Sequence, residues 1–90
     1  MNDYKTTWRQ LIQDTMMEHG DTFVDIEAST LTKEQLDKEF DSGFGGSEGC
    51  PFTVWTAKRV YFPATYDGAE WAASVSRNPD GIPTQHVGGE

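Results

Sequence analysis

The chain has 90 residues, 36% of them apolar and 24% charged, and carries a formal net charge of −8. That length leaves room for one domain with one modest core, and three Trp, three Tyr and five Phe exclude a disordered chain, which is poor in such rings. An acidic surface repels nucleic-acid phosphates and anionic lipid heads, so the expected partner is a protein with a basic surface, with no direct nucleic acid and no membrane.

A single cysteine, Cys50, excludes an internal disulfide and with it the stapled secreted class. The first residues do not read as a secretory leader, and no apolar run approaches the roughly 20 residues that span a bilayer. The expectation is cytoplasmic residence.

The first element is a helix over Tyr4–His19. Tyr4, Trp8, Leu11, Ile12, Thr15, Met16 and His19 fall on one face of a 3.6-residue period. Asn2 or Asp3 can cap its start, and Gly20 suits the position after its end. From Phe23 to Ala28, Val24, Ile26 and Ala28 alternate with Asp25 and Glu27, which reads either as a short strand or as an extended connection. A second helix is expected over Thr32–Phe40. Thr32 with Gln35 makes a capping box, flanked by Leu31 and Leu36 as a hydrophobic staple.

Residues 41–51 (DSGFGGSEGCP) hold four glycines and a proline and read as a loop. The remainder reads as β. Asp67-Gly68 is a strong two-residue hairpin turn. It sets Val60 against Val75, Phe62 against Ala73 and Ala64 against Trp71, and these six are expected to face the core. Arg59, Tyr61, Pro63 and Thr65 against Ser76, Ser74, Ala72 and Glu70 make the outer face. Pro63 lacks an N–H and marks a bulge or a non-bonded position. The strand over 52–56 turns near Ala57-Lys58. A three-residue turn sets Trp55 outward beside Tyr61, and a two-residue turn buries it, because one residue of slip reverses the faces; the outward placement is preferred. From about residue 78 the chain is an irregular tail.

These elements predict a single α+β domain over 1–90, with two helices packed on a three-stranded antiparallel β-meander near 52–56, 59–66 and 69–77. The expected core is Trp8, Leu11, Ile12, Met16, Ile26, Leu36, Phe40, Val60, Phe62, Trp71 and Val75.

Chemistry-bearing patterns are sparse. Val24 to Thr30 resembles the first motif of the DEDD exonucleases, where an Asp and a Glu two apart on a strand hold catalytic metals. The likeness covers seven residues, and 90 residues leave no room for the family's other motifs, so a solvated strand face is the better reading. The glycine loop lacks the strand before, helix after and lysine of a phosphate loop. Cys50, His19 and His86 lack zinc-ligand spacing, and no serine or cysteine sits in a nucleophile elbow. No enzyme, metal or cofactor is expected.

Two features remain as contact candidates. Carboxylates dominate from Asp14 to Glu48 against only Lys33 and Lys38; Asp25, Glu27, Glu34, Asp37 and Asp41 can present a phosphate-like array to a basic groove. Trp55, Tyr61 and Phe44 can form an aromatic patch on the outer sheet face and the glycine loop, since Trp and Tyr favour contact hot spots. The alternatives are a solubilising surface and aromatics packed under the tail or a helix.

Residues 60–81, VYFPATYDGAEWAASVSRNPDG, resemble small accessory reading frames of bacteriophages and prophages, with a short acidic chain, a glycine-rich middle and a YDG-x-EW-like hairpin. The resemblance implies a non-catalytic inhibitor of a host defence or nucleic-acid-binding protein, acting in the host cytoplasm, and supplies no catalytic residue. The other reading is a structural or assembly protein that self-associates through its sheet.

Overall fold

The computed structural model describes residues 5–41, 49–66 and 69–88. In chain order they form β1 (Lys5–Thr6), α1 (Trp8–His19), a 3-10 turn (Phe23–Asp25), β2 (Ile26–Ser29), α2 (Lys33–Asp37), β3 (Phe40–Asp41), β4 (Val54–Thr56), β5 (Arg59–Tyr66) and β6 (Ala69–Ser76). The fold is α+β, but the expected meander is the larger part of a four-stranded sheet in the order β2-β4-β5-β6, and β1 pairs with β3 in a second, two-stranded sheet. All pairs are antiparallel.

Helix α1 starts four residues later than its apolar spacing suggests. Lys5 and Thr6 are held extended against Asp41 and Phe40, and Thr7 is the N-cap, its hydroxyl accepting from the Gln10 N–H at 3.1 Å. The other end is as expected. Gly20 takes the left-handed conformation (φ 75°), and the Asp21 N–H donates to the Met16 carbonyl at 3.0 Å. This Schellman-type bond turns the chain back toward the sheet. Helix α2 begins at the expected capping box, Thr32 with Gln35. It ends at Asp37, and Phe40 belongs to β3 because its ring is recruited to the core.

The β5–β6 register is the expected one throughout, from Arg59–Ser76 to Tyr66–Ala69. The turn residues 67 and 68 lie outside the described residues. The face assignment is reversed. Tyr61, Val54, Thr56 and Ala72 are buried beneath α1, while Val60, Phe62, Trp71 and Val75 are half-buried on the other face and stand outside the core cluster. The reason is steric. Helix α1 brings the bulky Trp8, Ile12 and Met16, all buried. It can come close only over a strand carrying small side chains, and β6 offers Ala72 and Ser74 there. The Thr15 hydroxyl reaches the Ala72 carbonyl at 2.6 Å.

The β4–β5 turn holds two residues, since Val54 pairs with Tyr61 and Trp55 with Val60. The two-residue turn puts Trp55 on the Val60 side, and that side is the outer one. The three-residue turn and the core face were both expected wrongly, and the two errors cancel for Trp55.

Trp8 is the centre of the core. Its ring packs against Phe40 (centroids 4.9 Å) and edge-on to Phe52 (4.7 Å), and its indole N–H donates to the Cys50 carbonyl at 3.0 Å. Leu11, Ile26 and Leu36 are partly buried against this cluster. Gly49 passes so near that a Cβ there would lie 2.5 Å from the Trp8 ring. Glu70, expected on a wet face, is 5% exposed, and its carboxylate accepts from the Gly49 N–H at 3.0 Å.

Both edges of the large sheet are guarded. Strand β2 is four residues long, with a register shift between Ile26 and Ala28, and a short, bulged, charged edge resists pairing. On β6 the Ala72 carbonyl is occupied by Thr15 and the Ser74 carbonyl by the Arg59 guanidinium at 3.3 Å. Because Ala72 points its carbonyl away from β5, its partner Pro63 stands in a non-hydrogen-bonded pair, where a missing N–H breaks no bond to β6.

Candidate functional site

The acidic segment runs through the 3-10 turn, β2 and α2, and four of its five expected contact carboxylates are exposed: Asp25, Glu27, Glu34 and Asp37. Most have local work. Asp25 closes a capping box, its Oδ2 accepting from the Thr22 N–H at 2.9 Å. It therefore sits in a tight turn, so Asp25 and Glu27 are not successive same-side positions of one strand, as a paired metal site would need. Glu27 accepts from Arg77 at 2.7 Å. Asp37 receives two hydrogen bonds from the Arg9 guanidinium, at 2.6 and 3.2 Å. This hydrogen bonding is the main cause that holds the Asp37 carboxyl below its ordinary range and Arg9 above its own. Arg9 also lies over the Phe23 ring at 5.3 Å. Asp41 is half-buried in β3 opposite Lys5. Glu34, in the first turn of α2, and Glu39, just beyond it, are exposed and enter no ion pair among the described residues.

The expected aromatic patch is not assembled. Tyr61 is fully buried (0% exposed) on the α1 side, Trp55 is half-buried on the opposite face, and Phe44 lies outside the described residues. Tyr61 was expected outward because the strand's other face is the more apolar; the small residues opposite it, rather than its own polarity, put it under the helix.

Tyr61 instead belongs to a buried polar node that the sequence did not announce. The Schellman turn after α1 carries Asp21 inward, where it is 3% exposed. Its Oδ2 accepts from the Tyr61 hydroxyl at 2.7 Å and from the Thr56 hydroxyl at 2.8 Å. The Thr56 oxygen also accepts from the N–H groups of Lys58 and Arg59 at 3.2 and 3.0 Å, which fixes the two-residue turn. Asp21 Oδ1 is buried with no partner among the described residues. Burial, then the hydrogen bond to Asp21, then the Asp21 charge push the Tyr61 hydroxyl far above its ordinary 10.0, with Arg59 opposing. The only advance signal was an acidic residue directly after a C-terminal glycine, which is too common to single out.

Remaining reactive side chains are dispersed. His19 and His86 line one cleft of about 400 Å³ beside Trp71, whereas Cys50 lines a separate cavity of about 180 Å³ with Trp8, Phe40 and Lys38. Among the described residues no three His, Cys, Asp or Glu side chains gather as a metal site, and no helix is long and apolar enough to cross a membrane. No family model, no curated protein and no solved structure matches the chain.

Proposed function

We propose that the chain is a small non-catalytic protein-binding domain whose exposed carboxylates engage a basic surface on a partner protein. The observation that carries this reading is the pair Glu34 and Glu39, exposed and without a counter-ion among the described residues, on a chain of net charge −8. Such a field steers a cationic partner and raises its association rate, and salt weakens both effects. Asp25, Glu27 and Asp37 add charge but are already engaged by partners of their own, and Trp55 is half-buried on the outer sheet face. The likeness to phage reading frames favours an inhibitor of a host defence or nucleic-acid-binding protein. Self-association through a sheet edge is less favoured, because β2 is short and bulged and the β6 carbonyls are occupied.

The test compares the wild-type chain with Glu34→Lys/Glu39→Lys, which leaves every cap and ion pair named above intact. Both are immobilised and exposed to host extract with nuclease, at low and at high salt. The expected result is a basic protein held by the wild type at low salt, released at high salt and missing from the variant. Equal capture by both chains, or capture that resists salt, overturns the acidic reading.

A further inference from the structure

The outer face of the sheet is a run of apolar side chains: Val60 beside Val75, Phe62 beside Ala73, Ala64 beside Trp71. Ala64 and Ala73 are almost inaccessible, although α1 lies on the opposite face. The C-terminal segment runs beside them: its end shares a cleft with Ala73 and lies against Thr65, the neighbour of Ala64. Residues 77–88 have no regular structure, and 77–87 are exposed. The segment is tied at its root, where the Arg77 N–H donates to the Lys58 carbonyl at 2.9 Å and Asn78 Nδ2 to the Ala57 carbonyl at 3.3 Å. It touches down again at its tip. His86, Val87 and Gly88 share a cleft with Trp71 and Ala73, and Gly88 lies against the Thr65 backbone with φ +83°. Between root and tip the chain arches past the β6 edge over a hollow of about 960 Å³ lined by Val75 of the outer face and by Arg59, Ser74 and Ser76 of the inner one. The arch's one hydrogen bond among the described residues is local, from the Ile82 N–H to Asp80 Oδ1, and Ile82 itself is 71% exposed.

A segment held at two ends, with no ladder to the sheet and little packing between, opens at low free energy. We propose that residues 79–88 are a detachable strap, and that its release turns the outer sheet face into a self-association surface for a second copy of this chain. Charge selects that occupant. The paired outer-face positions carry no carboxylate; Glu18 reaches only the rim, in the cleft at the strap's tip, while Asp14 sits on α1 and Glu34 and Glu39 lie on or just after α2. Two copies meeting face to face therefore bring together the least repulsive surface of a strongly acidic chain. The shape also suits a two-fold contact, since the bulk of Phe62 and Trp71 alternates with the hollows at Ala73 and Ala64 and sheets pack by interdigitating such rows. The strap does not rest on the exposed carboxylates Glu34 and Glu39 of the proposed function.

Gly88→Val tests this in the full chain. A β-branched residue is strained at that φ, and its Cβ would lie 2.7 Å from the Thr65 carbonyl oxygen, so the tip cannot dock. Circular dichroism checks that the fold is kept. Sedimentation over a concentration series and binding of a hydrophobic fluorescent dye give the readout. The wild type is expected to be monomeric with little dye bound. Gly88→Val is expected to bind dye when dilute and to dimerise with a dissociation constant lower by roughly tenfold or more, and adding Phe62→Ser should return it to monomer. Dye binding without dimerisation overturns the second-copy occupant. No change in either readout overturns the strap.

Discussion

The two faces of the four-stranded sheet have opposite fates. The inner face carries Tyr61, Val54, Thr56 and Ala72, a mixture that includes two hydroxyls, and becomes core. The outer face carries Val60, Phe62, Trp71 and Val75, a more hydrophobic set, and stays half-exposed under a coil. A helix needs close approach, and close approach needs small side chains, so Ala72 and Ser74 select the face. The polar groups buried as a consequence must find partners, and the Asp21 node supplies them. Side-chain size opposite the helix outranked hydrophobicity.

The sharpest way to break this comparison is to truncate one ring on each face. Trp8 fills the inner core and contacts Phe40 and Phe52, so Trp8→Ala should destabilise by about 3–5 kcal/mol. That is a large share of the stability of so small a domain. Phe62→Ala, on the outer face, should cost only about 1–2 kcal/mol because the site is already half-open and can collapse under the tail. Urea unfolding followed by circular dichroism gives both values. Equal losses would mean that the outer face is as much core as the inner one.

Next in size is the polar node. Asp21→Ala leaves the Tyr61 hydroxyl buried without its acceptor, at about 1–3 kcal/mol for an unsatisfied group, and leaves the Thr56 hydroxyl only its long bond to the Arg59 carbonyl at 3.4 Å, less whatever is regained by removing the partnerless Oδ1. Tyr61→Phe removes one donor and should cost about 1–2 kcal/mol. A double-mutant cycle between Asp21 and Tyr61 should show strong coupling, because each change removes the same 2.7 Å bond. Additive losses would show the node to be incidental to the inner face.

Much of this was legible from local chemistry. The Thr32–Gln35 capping box, the Gly20 terminus and the full β5–β6 register follow from residues that act on their immediate neighbours. What failed depends on contacts distant in sequence. The helix begins at Trp8 rather than Tyr4 because β3 pairs with Lys5 and Thr6. Phe40 leaves its helix because Trp8 needs a ring. Tyr61 left the expected contact set because its buried partner, Asp21, lies 40 residues away. Of the expected acidic contacts, Asp25, Glu27 and Asp37 proved to have structural partners. Those partners, Thr22 aside, are arginines contributed by other elements, which periodicity does not reveal.

The smallest expected effect sharpens the comparison through pH. The Tyr61 hydroxyl is held protonated in the folded chain, while the unfolded chain releases that proton near the ordinary value of 10.0. Below that value both states bind the proton and Tyr61 contributes no pH dependence. Above it the unfolded state binds fewer protons, so stability falls as pH rises, by up to about 1.4 kcal/mol per pH unit until the folded-state value is reached. Tyr61→Phe has no such proton. The wild type should therefore be the more stable at neutral pH, with its advantage shrinking once the pH passes the ordinary tyrosine value. Urea midpoints of both chains at neutral pH and one unit above that value measure the convergence. A gap that stays constant would mean that Tyr61 ionises in place, and that the inner face is open enough to solvate it.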